Sequence, residues 1–398
     1  MPTAERLRVQ SELTDRARAL GPLIRAQADE SERLRRLATP VVDAFHDAGL
    51  FRMLQPTSIG GSGLNAIDAV PILEEVAAAD GSAGWNLAIG AGNSAFLALL
   101  EDQGALEALV KPPRALGAGS VNPTSLRLTA VPGGYRVAGT LRFASGIHQS
   151  SWLVAGGLVI EDGKPRLAPD GIPEIVGAFF PSREVRILDT WHPSGMAGTG
   201  SHDAIVDDVF VPASYTFDFR AKGSRRFDAL AELPTFSRLG ATLAAVAIGI
   251  ARRSIEELMV LARTKPAMMT ATPLCETARV QTEVARAHAL VDAARAHLRF
   301  VAGGIFDRIA DGATPTLDDL ARLRLSYLSA TEHATEAVDR MRNAAGMTAV
   351  ASPPGTVHPL ERCFRDVHAL TQHLAISPAH YERVGKALLG LDFGSGQL

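Results

Sequence analysis

The chain has 398 residues, of which 46% are hydrophobic and 21% charged, so its composition is that of a globular protein long enough for two or three domains. Its 40 basic and 43 acidic side chains nearly balance, which argues against a nucleic-acid-binding protein. The longest apolar stretch, residues 239–251, is shorter than a membrane-spanning helix, which needs about 20 residues, so no membrane association is expected. Two cysteines and an N-terminus without an apolar signal segment predict a cytoplasmic protein.

Helical patterns occupy the first third of the chain. Val41, Phe45 and Ala48 recur at the spacing of one helix face. Residues 85–100 are small and apolar on all sides, which is typical of a buried helix. Glycines at residues 90–95 match a dinucleotide-binding pattern, but they lie between helical segments instead of after a strand. We therefore interpret them as sites of tight helix packing.

Alternating apolar and polar residues replace the helical pattern in the middle of the chain. Residues 126–131 and 135–143 are two such runs, and the Pro-Gly-Gly sequence between them predicts a β-hairpin. Further strand-like runs cover residues 152–160, 175–180, 185–188 and 204–211. The middle of the chain is therefore predicted to be rich in β-strands.

Longer helices are predicted after about residue 226. Apolar residues follow helical steps over residues 280–301 and a seven-residue repeat over residues 320–341. Thr316 and Asp319 have the spacing of a capping box at the start of a helix. Four helical segments of this kind predict an antiparallel bundle. The predicted fold class is α+β, with a helical N-terminal domain (1–116), a β-rich middle domain (117–225) and a C-terminal antiparallel four-helix bundle (226–398).

Local motifs follow one another in an order that is found in a known family. The sequence PTSIGGSG at residues 56–63 is similar to a proline and double-glycine turn, and VDDVFVP at residues 206–212 is similar to a strand that closes a middle β domain. The pair Arg365-Asp366 fits the C-terminal helices of the same family. Through these motifs, nearly the whole chain resembles the acyl-CoA dehydrogenase fold.

The expected catalytic position departs from that of the acyl-CoA dehydrogenases. Members of the family often carry a glutamate base a few residues after an Arg-Asp pair, but here Leu374 stands at that place and His373 precedes it. A leucine side chain cannot accept the proton that a thioester would lose. The segment instead resembles a second branch of the fold, the two-component flavin-dependent monooxygenases, which include the oxygenase components of 4-hydroxyphenylacetate hydroxylase and dibenzothiophene monooxygenase.

Spacings along the chain support that second resemblance. His373 follows Arg365 by eight residues and Ser145 by 228, and Ser120 precedes Ser145 by 25 residues. The resemblance implies an oxygenase component that receives reduced flavin, either FMN or FAD, from a separate NAD(P)H-flavin reductase. With O2 this flavin would form a C4a-hydroperoxide that oxygenates a small apolar or aromatic substrate. The resemblance also implies a homotetramer, and the lack of a nicotinamide-binding pattern agrees with a separate reductase.

The same resemblance implies a role for each candidate site residue. As catalytic candidates, Ser145 would hydrogen-bond flavin N5, and His373, whose ordinary pKa is about 6.5, would take a proton from the substrate or hold the distal oxygen. The glycines of the loop at residues 195–201 would let backbone N–H groups approach the flavin. The cofactor-binding candidates are Ser120, Ser145, Gly198, Thr199, Ser201 and Arg263. The substrate-binding candidates are Trp85, Asn93 and His373, and no metal site is predicted.

Plainer interpretations of these residues stay open. Taken alone, His373 fits a packed or surface residue of a helix, and Ser145 fits a turn serine at the end of a strand. The loop at residues 195–201 fits a simple turn, and Arg263 fits an exposed arginine on a helix. Each of these interpretations places the residue in the structure without any contact to a ligand.

Two asparagines leave open which type of oxygenation the protein catalyses and which residue caps the loop at Ser120. Asn93 stands where aromatic hydroxylases of this branch tend to have a histidine, and an amide cannot act as a base near neutral pH. Oxygenation of sulfur, nitrogen or another ring system therefore stays open beside phenol hydroxylation. Asn122 could cap the same loop as Ser120.

Two other functions compete with the monooxygenase: an acyl-CoA dehydrogenase or oxidase with its base elsewhere, and a non-catalytic flavin-binding scaffold.

Overall fold

The structure is a computed structural model that describes residues 3–120, 125–169, 171–218, 230, 233–352 and 356–391. The α-helices in these ranges are α1 (Thr3–Ala26), α2 (Ala28–Leu34), α3 (Thr39–Asp47), α4 (Val70–Ala79), α5 (Gly81–Asn93), α6 (Gln103–Val110), α7 (Thr235–Thr264), α8 (Ala278–His297), α9 (Gly304–Ala310), α10 (Leu317–Ala345), α11 (Pro359–Leu370) and α12 (His380–Leu388). The β-strands are β1 (Gly117–Ser120), β2 (Leu126–Val131), β3 (Gly134–Leu141), β4 (Trp152–Glu161), β5 (Lys164–Pro165), β6 (Ile175–Pro181), β7 (Val185–Ile187), β8 (Ala204–Pro212) and β9 (Thr216–Asp218). Asn122, the alternative loop cap, lies outside the described residues.

The strands form one sheet in the order β7-β8-β3-β2-β4-β6-β9, and β1 and β5 also pair with β4. The predicted hairpin is confirmed as the antiparallel pair of β2 and β3, in which Leu126 lies opposite Gly139. The four further predicted strands correspond to β4, β6, β7 and β8. The strands β1, β5 and β9 were not predicted, because segments of two to four residues are too short to show an alternating pattern.

Apolar packing groups the helices differently from their order along the chain. One core extends from Leu13 to Ile376 and contains buried residues of α1, α3 to α5 and α7 to α11, which we call the helical body. Helices from both ends of the chain therefore share a single core. The sheet has separate apolar clusters, one around Leu128 and Val137 and another, shared with α6, around Trp152.

Local chemistry explains where two of the helices begin and pack. The predicted capping box is confirmed at α10, where Thr316 Oγ1 accepts from the N–H of Asp319 at 3.1 Å and the Asp319 carboxylate accepts from the N–H of Thr316 at 2.9 Å. In α5, a Cβ atom at Gly90 would lie 3.0 Å from the side chains of Phe51 and Leu116. This close contact supports tight packing at Gly90, whereas a Cβ atom at Gly92 would make only an ordinary contact, 3.6 Å from Leu239.

The predicted bundle is formed by α7, α8, α10 and α11, in which α10 contacts the other three helices. Helices end at Val110, strands run from Gly117 to Asp218, and helices resume at Thr235. The domain limits at residues 116 and 225 stay predictions. None of the helices in the described part of the chain has both the length and the apolar content needed to cross a membrane.

Candidate active site

Trp85 lies at the centre of the group of predicted site residues. Its Nε1 donates a hydrogen bond to Ser145 Oγ at 3.1 Å. Its ring meets the ring of His373 edge-on, with 5.2 Å between the ring centroids. Ser145 follows β3, Trp85 is on α5, and His373 follows α11. The fold therefore brings Ser145 and His373, which are far apart in sequence, to the same indole side chain at the boundary between the sheet and the helical body.

A chain of buried hydroxyl groups lies behind Ser145. Ser145 Oγ and Ser201 Oγ are 2.7 Å apart, and Ser201 Oγ is 2.7 Å from Thr199 Oγ1. The hydroxyl of Thr199 donates to the carbonyl oxygen of Met196, also at 2.7 Å. All three hydroxyl-bearing residues are buried. The structure thus brings Thr199 and Ser201 together with Ser145, as expected for one site. They were predicted as flavin contacts, and in the structure their hydroxyls bond to one another.

The loop at residues 195–201 is attached directly to α11. Met196 has the left-handed conformation (φ 59°), and its N–H donates to Asp366 Oδ1 at 2.5 Å. Arg365 Nη1 donates to the carbonyl oxygen of Ser194 at 2.8 Å. A Cβ atom at Gly195 would lie 2.1 Å from the carbonyl oxygen of Arg365, so only glycine permits this close approach of the two backbones. The loop that holds Thr199 and Ser201 therefore has its position set by the helix that precedes His373.

Asp366 is a buried carboxyl group for which the sequence pattern predicts no role. Burial and the nearby carboxylate of Asp80 raise its pKa to about 7, although the Met196 N–H, Arg365 and Arg362 favour the ionised form. Asp80 is also buried and caps α5 by accepting from the N–H of Ala83 at 2.8 Å, and burial raises its pKa as well. This carboxyl pair links the start of α5 to the loop. The sequence contains a signal for this burial, since Asp366 shares the helical spacing of the other buried residues of α11, which are Leu360, Cys363, Val367 and Leu370.

His373 lies beyond the end of α11, which differs from its expected position on the C-terminal helix. It caps the short 3-10 turn Leu374–Ile376, where its Nδ1 accepts from the N–H of Ala375 at 3.2 Å. Because a backbone N–H can only donate, Nδ1 carries no proton and the neutral ring carries its proton on Nε2. Burial lowers the pKa of His373 to about 4, so the ring is neutral near neutral pH. In this tautomer, Nε2 is a hydrogen-bond donor.

Asn93 is the last residue of α5, and Ser120 is the last residue of β1. The Asn93 amide donates to the carbonyl oxygen of Gly117 in β1 at 3.0 Å and is buried. Ser120 ends the same strand and is half-buried. Eight residues of helix, about 12 Å, separate Asn93 from Trp85. The structure therefore does not bring Asn93 into contact with Trp85, and it uses the donor of the amide to connect α5 to the sheet.

Gly198 lies beside Thr199 but faces the helices, and Arg263 lies far from the hydroxyl chain. A Cβ atom at Gly198 would lie 3.0 Å from the Ser82 side chain and 3.2 Å from that of Ser31, so packing against the helices explains the glycine. Arg263 is exposed on the last turn of α7. The start of α5 packs against Ile250 of α7, since a Cβ atom at Gly81 would meet the Ile250 side chain. Arg263 lies 13 residues farther along α7, about 20 Å from Ile250.

Two aromatic residues near the loop were not proposed from the sequence as site residues. Phe143, two residues before Ser145, is 66% exposed and has a left-handed backbone with φ of 56°. Its ring meets that of Trp191 edge-on at 6.3 Å, and Trp191 Nε1 donates to the Met196 carbonyl oxygen at 3.2 Å. An exposed phenylalanine in a strained conformation next to Ser145 offers apolar surface to a ligand at this place.

Comparison with known proteins identifies the family. Residues 8–108 match the acyl-CoA dehydrogenase N-terminal domain, and residues 241–378 match the acyl-CoA dehydrogenase C-terminal domain. The chain belongs to the acyl-CoA dehydrogenase superfamily. The predicted α+β fold of this superfamily, with helices before and after a β-rich middle, is confirmed.

Relatives within the superfamily are monooxygenases. Indole-3-acetate monooxygenase of Pseudomonas putida is 29% identical over 370 residues, which cover 92% of this chain and 90% of that protein. The flavin-dependent monooxygenase oxygenase subunit HsaA of Rhodococcus jostii is 29% identical over 393 residues, which cover 94% of this chain and 97% of that protein. The crystal structure of 3-HSA hydroxylase from Rhodococcus sp. RHA1 matches with a TM-score of 0.86 at 29% identity, covering 96% of this chain and 98% of that one. The predicted resemblance to the flavin-dependent monooxygenase branch is confirmed.

Proposed function

We propose that this protein is the oxygenase component of a two-component flavin-dependent monooxygenase, which uses reduced flavin and O2 to oxygenate a small aromatic substrate. The observation that carries the proposal is the meeting of Ser145, Trp85 and His373 at one place. Leu374, which stands where many dehydrogenases have their glutamate, is 64% exposed and has no acid-base group. The relatives named as monooxygenases support the same assignment.

The groups at this place fit a flavin ring. Ser145 supplies a neutral hydrogen-bonding group, and Trp85 and Phe143 supply aromatic surface beside it. Such a combination suits a planar ring system that is largely apolar and has polar edges. When bound, reduced flavin would supply the electrons that activate O2.

His373 acts as a hydrogen-bond donor in this proposal. Its Nδ1 is engaged by the N–H of Ala375, and its Nε2 carries the only ring proton near neutral pH. That proton can hold an oxygen atom of a bound reactant, but the same nitrogen cannot at once accept a proton from the substrate. Of the two roles that the sequence left open, the geometry therefore favours holding oxygen over proton abstraction.

The same proposal includes the partners and the remaining contacts. A second component, an NAD(P)H-flavin reductase, is supported by the words "oxygenase subunit" in the name of the Rhodococcus jostii relative. Cys275 and Cys363 are both free thiols, which supports a cytoplasmic location. Ser120 stays a proposed flavin contact. Arg263 lies too far along α7 to join Ser145 at the flavin ring, so its proposed contact is with the phosphate end of FMN or FAD, or with the flavin of another subunit of a homotetramer.

Double-mixing stopped-flow spectroscopy tests the proposed function. The protein is mixed anaerobically with chemically reduced FMN or FAD and then with oxygenated buffer, and the absorbance of oxidised flavin is followed. We expect oxidised flavin to reappear more slowly than it does from free reduced flavin. With indole-3-acetate and a panel of other small aromatic compounds, we expect at least one oxygenated product by mass spectrometry.

Matched variants locate the effect at the site. Ser145→Ala is expected to shorten the delay. Ser150→Ala is expected to preserve it, because among the described residues the Ser150 hydroxyl bonds only to the nearby carbonyl oxygen of Ile147. Reappearance of oxidised flavin at the rate of free flavin, without product, would contradict the proposal. Loss of the absorbance of bound FAD on addition of an acyl thioester, without any reductase, would establish the dehydrogenase function instead.

A further inference from the structure

The hydroxyl chain behind Ser145 has a direction that the structure fixes. It ends at the carbonyl oxygen of Met196, and a carbonyl oxygen can only accept hydrogen bonds. The hydroxyl of Thr199, 2.7 Å away, must therefore donate its single proton to that oxygen. Thr199 Oγ1 then has only lone pairs to offer to the next hydroxyl in the chain.

The direction continues along the chain to Ser145. Ser201 Oγ, 2.7 Å from Thr199 Oγ1, must donate its proton to Thr199. Ser145 must in turn donate to Ser201, again at 2.7 Å, because any other assignment makes two oxygen atoms face each other with lone pairs only. The single proton of the Ser145 hydroxyl is therefore committed to the protein.

Ser145 keeps one position at which it can accept. Trp85 Nε1 can only donate, and it occupies one of the two lone pairs of Ser145 Oγ. Trp85 and Ser201 are the hydrogen-bond partners of this oxygen within the described part of the chain. Ser145 is 8% exposed, compared with 4% for Ser201 and 1% for Thr199, so it is the end of the chain that a ligand reaches. A ligand atom that meets Ser145 Oγ must therefore bring a proton.

We propose that Thr199 and Ser201 are positioning residues that hold Ser145 as a hydrogen-bond acceptor and so make the site select reduced over oxidised flavin. N5 of reduced flavin carries a proton and can donate to Ser145. N5 of oxidised flavin has only a lone pair, which would face a lone pair of Ser145. The inference rests on the proposed function, and it places the Thr199 and Ser201 hydroxyls behind the flavin contact.

Such selection suits an enzyme that must collect its flavin from another protein. Reduced flavin arriving from the reductase would be retained at Ser145. Oxidised flavin would be released after the reaction, because the committed proton of Ser145 cannot turn toward its N5. Selection by the redox state of the flavin would thus allow loading and release without any movement of the backbone.

Equilibrium binding of flavin tests the inference without turnover. Dissociation constants for oxidised FMN and FAD are measured by quenching of flavin fluorescence, and those for dithionite-reduced FMN and FAD by anaerobic titration calorimetry. For the wild-type protein we expect reduced flavin to bind on the order of tenfold more tightly than oxidised flavin. The reason is that oxidised flavin has an unfavourable contact with Ser145 where reduced flavin has a hydrogen bond. The ratio of the two constants is the readout.

Three variants separate positioning from a merely structural role. Thr199→Val keeps the shape of the side chain but removes its hydroxyl, so Ser201 can turn its proton toward Ser145. Ser145 can then donate its own proton to oxidised flavin. The ratio of the dissociation constants for oxidised and reduced flavin is therefore expected to fall toward one. Ser201→Ala is expected to act in the same direction. Thr199→Ser keeps the donor to Met196 and is expected to keep the wild-type ratio. All variants are first checked for cooperative unfolding.

The possible outcomes have different meanings. A wild-type ratio near one, or equal ratios for Thr199→Val and Thr199→Ser in folded protein, would overturn the inference while leaving the proposed function intact. If the wild-type protein bound neither reduced FMN nor reduced FAD, the proposed function would be refuted, and the inference with it. A ratio that falls in Thr199→Val and Ser201→Ala and returns in Thr199→Ser would establish the two residues as positioning residues.

Discussion

The helical body and the sheet are held together in different ways. A single apolar core joins helices from both ends of the chain, whereas the sheet has apolar clusters of its own. Near the site, individual hydrogen bonds connect the two regions: Trp85 to Ser145, Asn86 to Gly198 and Asn93 to Gly117. Each contributes about 1 kcal/mol to stability, far less than a continuous core. The site therefore lies where Ser145 of the sheet side is connected to the helical body by a few separate contacts.

The two regions also offer opposite hydrogen-bonding groups. The sheet side offers the oxygen of Ser145 as an acceptor, because its proton is used within the hydroxyl chain. The helical side offers the Nε2–H of His373 as a donor, because Nδ1 is occupied by the N–H of Ala375. Trp85 touches both residues. A neutral acceptor and a neutral donor beside the same indole can orient a ligand without placing a charge in the site.

The largest effect is expected from adding one methyl group where the two regions come closest. Gly195→Ala would place a Cβ atom 2.1 Å from the carbonyl oxygen of Arg365, so the loop and α11 must separate. We expect the free energy of unfolding to fall by about 3 kcal/mol and flavin binding to be lost. Chemical denaturation and fluorescence titration measure the two effects. Gly304→Ala is the control, since its Cβ atom would meet no atom within 4 Å, and an equal midpoint for both variants would contradict this account.

A smaller effect than that of Gly195→Ala is expected when His373, the hydrogen-bond donor on the helical side, is replaced. His373→Ala is expected to reduce the yield of oxygenated product per reduced flavin by about a hundredfold and to raise the yield of hydrogen peroxide. His373→Gln, which can still donate from its amide, is expected to retain more product than His373→Ala. With a pKa near 4, His373 is also expected to give no inflection in the wild-type yield between about pH 6 and 8. Equal yields for Gln and Ala, together with an inflection in this range, would favour a base over a donor.

The buried carboxyl of Asp366 should make the attachment of the loop depend on pH. Its pKa is raised from 3.8 to about 7 in the folded protein, so the folded state holds more protons than the unfolded state between these values, and stability falls as pH rises through them. Asp366→Asn cannot ionise but can still accept from Met196. The variant is therefore expected to gain stability relative to wild type from pH 5 to pH 8 in denaturation experiments.

A second variant distinguishes ionisation from the hydrogen bond itself. Asp366→Ala leaves the N–H of Met196 without its acceptor and is expected to lose about 1 to 3 kcal/mol at every pH. If the difference between Asp366→Asn and wild type did not change with pH, Asp366 would titrate near its ordinary value. Asp80 would then be the group of the pair that retains the proton.

Sequence patterns predicted the elements whose signals are local. The β2-β3 hairpin, the capping box at Thr316 and the buried helix α5 all follow from residues within a few positions of one another. The family resemblance supplied the pairing of Ser145 with His373, which no local pattern contains. Neither source could place His373 beyond the end of α11, because no local pattern shows that the helix ends at Leu370 and that the histidine side chain caps the next turn.

The details that depend on packing between distant segments were not predictable. Gly198 was expected to leave room for flavin, yet its Cα faces Ser31 and Ser82 of the helices. The hydroxyls of Thr199 and Ser201 were recognised as candidates, but their direction depends on the Met196 carbonyl, whose position depends on Asp366. A one-dimensional motif identifies such residues and cannot show which atoms they face.

The smallest effect is expected from Asn93, whose role as a substrate contact stays a prediction. Asn93→Ala removes the hydrogen bond to Gly117 and is expected to lower the free energy of unfolding by about 1 kcal/mol. If the amide only connects α5 to the sheet, the substrate concentration for half-maximal product formation should stay within twofold of wild type. An increase of tenfold or more in that concentration, with unchanged stability, would show instead that Asn93 contacts the substrate. In that case the site would have a third ligand-binding position besides Ser145 and His373, at the far end of α5 and about 12 Å from Trp85.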